Sequence, residues 1–332
     1  MPSPHKPLDR QVVVITGASS GIGLATARMA ARRGARLVLA SRNADALAQV
    51  QDDLGREGAQ VTHRVADVGR REDVQAVADW AVERFGGIDT WVNNAGISIY
   101  GRLEDVSDED HERLFQINFW GTVYGSLVAV PLLRRDGGAL VNVGSIASDL
   151  AIPLQGMYAA SKHAIRGFTD ALRMELEQDG APVSVTLIKP AAIDTPFPHH
   201  ARNYTDREPM LPPPVYHPDE VAHAILHAAV HPQRELIVGG GGRAMTGFKK
   251  VAPGTFDRLG GLMASQQLRA EPPRDPRGSL HGPGEDGHAR GDHPGYVHRT
   301  SAYTRARTHP LATGAVLAGV GFAAAALLRR RA

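Results

Sequence analysis

The chain has 332 residues, 42% of them hydrophobic and 22% charged, which excludes a wholly disordered or collagen-like protein. One catalytic domain needs about 150–250 residues, so the chain has room for such a domain with extensions. Thirty-seven basic residues against 35 acidic ones leave a net charge of +2 and no electrostatic case for a nucleic-acid partner, and the absence of cysteine removes disulfides, thiol catalysis and cysteine metal sites.

Residues 1–10 form an N-terminal arm. The apolar run that follows, Val12 to Ile15, is too short for a signal-peptide core, so the body is expected to fold in the cytosol. From 11 to 242, β-branched runs (VVVIT, RLVLA, VTHRV, ALVNV, VSVTLI, ELIVGG) alternate with helical stretches at 21–33, 43–57, 71–85, 108–134, 156–179 and 218–230, with a further strand at 88–93. Strands that are apolar throughout suit a sheet covered on both faces. Repeated β-α units then predict an α/β domain with a doubly wound, seven-stranded, mostly parallel sheet.

Residues 243–270 read as a helical extension packed on this domain. Residues 271–310 hold six Pro, six Gly and five His, and are expected to be a flexible linker because so few apolar residues cannot offset the entropy of ordering. The histidines there are irregularly spaced, and no metal site is expected. Residues 311–328 carry no charge and precede Arg329, Arg330 and Arg331. As a helix of 1.5 Å rise they would span about 27 Å, near the roughly 30 Å of a bilayer core. A membrane anchor for a cytoplasmic catalytic domain is expected, the alternative being a helix packed on the domain or paired with another subunit.

The first strand runs into Thr16-Gly17-Ala18-Ser19-Ser20-Gly21-Ile22-Gly23, with a helix starting near Gly21. Glycines allow a tight turn and close approach of backbone to a pyrophosphate, and the helix N-terminus offers free N–H groups and a positive dipole end. Strand before and helix after make this a dinucleotide cradle rather than a plain turn. The sequence resembles the short-chain dehydrogenase/reductase family here. The glycine motif matches nearly letter for letter, and Asn93-Asn94-Ala95-Gly96, Ser145 and Tyr158-Ala-Ala-Ser-Lys162 follow in the family's order. The resemblance covers about residues 10–240 and implies a Rossmann-type catalytic domain that moves hydride between a nicotinamide cofactor and a carbonyl or alcohol.

Tyr158 and Lys162, four apart on a helix, share one face. A nearby ammonium favours the phenolate, so Tyr158 is expected to serve as proton donor or acceptor with a lowered pKa. Ser145, just after the fifth strand, is expected to hold the substrate oxygen, and by the resemblance Asn118 supports Lys162 through a water relay. By the same resemblance the cofactor set is expected to comprise Gly17, Ser19, Ser20, Gly21, Ile22 and Gly23, then Ser41 and Arg42 at the end of the second strand, Asp67 and Val68 beside the adenine, Asn94, Ala95 and Gly96, Tyr158 and Lys162, and Pro190, Ile193 and Thr195 near the carboxamide. Asn93 reads as mainly structural.

An acid at the end of the second strand would bind the adenosine ribose and repel a 2′-phosphate. Ser41-Arg42-Asn43 carries none, which favours NADP(H) over NAD(H). Ala191 stands where relatives commonly have glycine. The Pro-rich connection 196–218, with His199, His200, Arg202, Arg207, Met210 and Leu211, reads as a lid. Ile97, Ile99, Tyr100, Ile152, Leu154 and Met157 suggest an apolar pocket and a lipophilic ketone or alcohol. The helices at 108–134 and 156–179 correspond to those through which family members form dimers or tetramers. The alternative function is a cofactor-binding scaffold or redox sensor without substantial turnover.

Overall fold

The computed structural model describes residues 5–309 together with 313–314. Strand β1 (Val12–Thr16) is buried along its whole length, with Val13, Val14 and Ile15 shut off from water completely. Each such side chain contributes about 1.5–3 kcal/mol by leaving solvent, so both faces of the strand need a cover of helices. That cover is built in β-α steps: α1 (Gly21–Arg32), β2 (Arg36–Ser41), α2 (Ala44–Arg56), β3 (Val61–Val65), α3 (Arg71–Phe85) and β4 (Thr90–Asn93). A short β5 (Ile99–Tyr100) precedes α4 (Asp108–Phe115) and α5 (Gly121–Asp136). Then come β6 (Gly138–Val143), α6 (Gly156–Gln178), β7 (Val183–Pro190) and β8 (Ala192–Ile193).

The connection expected as a lid holds α7 (Phe197–His200), β9 (Arg202–Asn203) and β10 (Val215–Tyr216). The chain continues through α8 (Pro218–Val230), β11 (Glu235–Val238), α9 (Gly240–Val251), α10 (Pro253–Arg258), α11 (Gly260–Ser265), β12 (Val297–His298) and α12 (Ala302–Thr308).

Seven strands form one parallel sheet in the order β11-β7-β6-β4-β1-β2-β3. Val14 lies opposite Val38 of β2 on one side and Trp91 of β4 on the other. The order reverses between β1 and β4, which opens a crevice at the carboxyl ends of the strands, where ligands bind in such sheets. Two apolar clusters cover the faces, one around Trp91, Leu114, Leu133 and Leu140, the other around Ile15, Leu24, Leu37 and Leu39. The helix expected at 108–134 is interrupted by a π-helical turn at Gln116–Trp120, which separates α4 from α5 and carries Asn118.

The segment 271–309, expected to be a flexible linker, is laid along the domain. Leu280 is fully buried, β12 pairs with β10, and α12 packs against β11 and α8. Charge pairing does what apolar content could not. Asp110, Asp194, Glu208 and Glu220 are all at least 95% buried, and each takes a donor from this segment. His281 bonds Asp110 at 2.7 Å, Arg290 bonds Asp194 at 3.0 Å, the Arg274 amide bonds Glu208 at 2.9 Å, and Arg305 bonds Glu220 at 2.8 Å. A buried carboxylate without a partner is costly, so each of these contacts ties the segment down. Among the described residues no helix is long and apolar enough to cross a membrane. The expected anchor at 311–328 lies outside the described residues apart from Thr313 and Gly314.

Candidate active site

The glycine-rich turn between β1 and α1 is shaped by crowding. Gly17 has φ +65°, and a Cβ there would meet Ala95 Cα at 2.8 Å. A Cβ on Gly23 would lie 2.0 Å from the Gly17 carbonyl oxygen and 2.7 Å from Asn94 Nδ2. Asn94 holds the turn from the end of β4, donating from Nδ2 to the carbonyls of Thr16 and Gly17 at 3.0 and 3.1 Å. Ser20 precedes α1 without a side-chain cap; the Gly21 amide donates to the His288 carbonyl at 2.9 Å, and the next first-turn amides have no intrahelical partner. A cradle that excludes Cβ atoms and presents amides fits a pyrophosphate, so a dinucleotide suits the residues present.

One cleft is lined by every candidate site residue except Gly23 and Asn118, which lie behind its wall. At its inner end Ser145 follows β6, and its Oγ accepts from the Ala147 amide at 3.1 Å, which fixes the rotamer. Tyr158 and Lys162 enter from the first turns of α6, with Lys162 Nζ 5.6 Å from the Tyr158 ring centroid. Lys162 donates to the Val143 carbonyl at 2.9 Å. A Cβ on Gly96 would lie 3.4 Å from Asn118 Oδ1 and 3.5 Å from Lys162 Nζ, so both side chains converge on this glycine. Asn118 is fully buried. It accepts from the Ile97 amide at 2.8 Å and donates to the Ile97 carbonyl at 2.9 Å and to Ser161 at 3.1 Å.

The expected lowering of the Tyr158 pKa is absent in this state. Burial pushes the phenol up to about 12, against the pull of a hydrogen bond from Ser145. Burial also brings the Lys162 ammonium down to about 8. Desolvation disfavours the charged form of each group and dominates both shifts. A positively charged nicotinamide ring beside the phenol would favour the phenolate.

At the outer end Asp67 is bonded by Arg113 and by the Gly69 amide at 2.9 Å, and these contacts outweigh burial to hold its carboxyl below the ordinary range. Ser41 accepts from the Asn43 amide, and Arg42 donates to the carbonyls of Ser279 and Leu280, the latter at 3.1 Å. Val68, Ala95, Pro190 and Ile193 complete the wall. Thr195 donates to the Ile193 carbonyl at 3.3 Å and faces Gly21, whose Cβ would touch it at 3.4 Å. The methyl of Ala191 is accommodated by two glycines, for a Cβ on Gly239 or Gly242 would lie 3.0 or 2.9 Å from it. Asn93 bonds Trp91, Ser126 and Asn142 inside the core and is structural, as expected.

Of the six residues expected to form an apolar pocket, Ile97 lines the cleft. Ile99 and Tyr100 are buried in the core, where β5 pairs with β9. The apolar wall is made instead by Ile117, Val143, Phe197 and Leu211, with the Phe197 ring 5.6 Å from that of Tyr158. Sequence reasoning also missed Ser279, Pro283, Gly284 and Asp286, which close the outer end, because they belong to the segment read as a linker.

Residues 11–205 match the family model for short chain dehydrogenase. The uncharacterized oxidoreductase YxnA of Bacillus subtilis is 45% identical over 326 residues, covering 96% of this chain and 92% of that protein. The putative oxidoreductase SadH of Mycobacterium tuberculosis is 34% identical over 75% of this chain and 93% of its own length. Among solved structures, an alcohol dehydrogenase from Thermococcus sibiricus complexed with 5-hydroxy-NADP is 31% identical with TM-score 0.61, covering 69% of this chain and 95% of that one. A short chain dehydrogenase/reductase from Burkholderia phymatum in complex with NAD is 28% identical with TM-score 0.68, covering 82% of this chain and all of the other. The parallel sheet, the glycine cradle and the Ser-Tyr-Lys cluster thus agree with sequence likeness over most of the chain, which belongs to the short-chain dehydrogenase family of NAD(P)-dependent oxidoreductases acting on CH–OH and C=O groups.

Proposed function

We propose that the chain is a carbonyl reductase or alcohol dehydrogenase for a lipophilic ketone or secondary alcohol, with Tyr158 as the acid–base residue. One observation carries this reading: a buried Tyr158, set in one cleft with Ser145 and Lys162, opens on an apolar wall at one end of a cleft whose other end is the glycine cradle. The bound nicotinamide supplies or accepts the hydride. Tyr158 Oη gives a proton to the carbonyl oxygen in reduction and takes one from the hydroxyl in oxidation. Ser145 bonds the same oxygen and fixes its distance from Tyr158. Lys162 lies beside the phenol, where its charge favours the phenolate, and it would be among the residues that hold the cofactor. Asn118 is a positioning residue that joins the Ile97 backbone to Ser161 beside Lys162.

The NADP(H) preference expected from Ser41 and Arg42 is not supported by their surroundings, since Arg42 already donates to two carbonyls. Exposed Trp120, Leu127 and Met174 lie on the π turn, α5 and α6 and favour a dimer or tetramer through these elements. Membrane attachment through 311–328 rests on its charge-free composition, and recovery of the full chain in the soluble fraction at low and high salt would exclude it. A turnover screen of the full chain with NADH, NADPH and lipophilic ketones tests the main reading. Tyr158→Phe is expected to lose at least about 10²-fold in activity while binding cofactor as before. Near-normal activity in that variant removes the assignment, and binding without turnover across the screen favours the scaffold reading.

A further inference from the structure

The tip of β2 lacks the carboxylate that a ribose-binding site needs, yet a carboxylate reaches the same wall of the cleft from more than 200 residues away. Asp286 lines the cleft together with Ser41, Arg42 and Asn43. Backbone contacts fix its place. The Gly287 amide donates to the Ser19 carbonyl at 2.9 Å, the Gly21 amide donates to the His288 carbonyl at 2.9 Å, and Asn43 Nδ2 donates to the Gly284 carbonyl at 3.1 Å. Residues 284–288 are therefore pinned to the glycine-rich turn and to the tip of β2 at once.

The Asp286 side chain is only 9% exposed. Among the described residues its carboxylate makes no hydrogen bond, and its nearest salt-bridge partner is His200 Nε2 at 4.0 Å. Arg42 spends its hydrogen bonds on the carbonyls of Ser279 and Leu280 and reaches Asp286 only through its charge. A buried carboxylate with unfilled acceptor sites is expensive to desolvate and is best met by hydroxyl donors. The adenosine ribose of NAD(H) offers two. A 2′-phosphate in their place would set negative charge against negative charge, and the hydrogen-bond donors of Arg42 that could hold it are already bonded to two carbonyls.

We propose that Asp286 is the ribose-binding carboxylate of this chain, and that the C-terminal segment thereby makes the enzyme select NAD(H) over NADP(H). The inference rests on the reading of the cleft as a dinucleotide site. Its test is direct binding to the full chain, by quenching of tryptophan fluorescence, of NADH, NADPH, 5′-AMP and adenosine 2′,5′-bisphosphate. The wild type is expected to bind NADH at least tenfold more tightly than NADPH, and 5′-AMP more tightly than the bisphosphate. Asp286→Asn and Asp286→Ala should weaken NADH about tenfold and leave NADPH unchanged or tighter, so that the preference collapses. Tighter binding of NADPH by the wild type overturns the proposal without recourse to any variant. So does an NADH/NADPH ratio that stays within twofold of wild type in both variants. Binding of neither dinucleotide overturns the cleft reading and the proposal together, and is distinct from both other results.

Discussion

Replacing Lys162 by methionine isolates what the active site costs the fold. Lys162 is 96% buried, and burial moves its ammonium from the ordinary 10.5 to about 8. That difference corresponds to a few kcal/mol, at about 1.36 kcal/mol per pH unit. The sign follows from proton counting. Between pH 8 and 10.5 the unfolded chain holds a proton on this lysine and the folded chain does not, so unfolding free energy rises with pH. Below pH 8 both states are protonated and the folded state carries the full penalty. The stability of wild type relative to Lys162→Met should therefore climb by about 1.4 kcal/mol per pH unit across that window, and be flat below it. At pH 7 the variant escapes that penalty, and its gain is cut by the Val143 carbonyl left without its donor, a loss of roughly 1.5–3 kcal/mol. Urea unfolding of both proteins at intervals from pH 7 to 10.5, without cofactor, measures the difference. Two parallel curves would refute the reasoning, since Lys162 is the titrating group that the variant removes. The same variant should be inactive, as expected where function is held at the expense of stability.

Gly23→Ala drives a methyl onto the Gly17 carbonyl at 2.0 Å, so it should destabilise by about 1–3 kcal/mol and weaken dinucleotide binding at least about tenfold, read by thermal unfolding and titration. Ala191→Gly should change dinucleotide affinity by less than about twofold, because Gly239 and Gly242 already make room for the methyl, and should lower stability by about 0.4–1 kcal/mol through the freer unfolded chain. Leu127→Glu combined with Met174→Glu should shift sedimentation toward the monomer at micromolar concentration, and an unchanged sedimentation coefficient would remove α5 and α6 as the interface.

The central sheet was legible in the sequence because its strands announce themselves: VVVIT and ALVNV become β1 and β6, buried at every residue. The candidate site was legible for the same reason. Its residues other than Asn118 sit mostly at strand ends and first helical turns, so spacing along the chain translates directly into position around the cleft. The pKa of Tyr158 was not legible, because the Tyr-x-x-x-Lys spacing reports the helpful charge and is silent on burial, which dominates. The apolar pocket failed for a related reason: Ile99 and Tyr100 are apolar to fill the core, while Phe197 and Leu211, in a Pro-rich connection, form the wall.

The C-terminal segment shows a deeper limit. Its composition was judged by apolar content, the usual currency of ordering, and by that measure it should not fold. Its order comes instead from complementarity between sites far apart in the chain. Asp194 is 1% exposed and is met by Arg290, 96 residues later, and Glu220 is met by Arg305, 85 residues later. Around Asp292, burial alone would raise the carboxyl, but bonds from His199 and Arg274, with Arg269, hold it well below the ordinary range. That network ties the 196–218 connection to the C-terminal segment through His199, which bonds both Glu208 and Asp292. A sequence window shows either the acid or its partner, never both. A buried acid in one segment and a scatter of Arg and His in another each look like ordinary surface until the fold brings them together. The consequence reaches the site, because the polar clamps that order this segment also deliver Asp286 to the outer wall of the cleft.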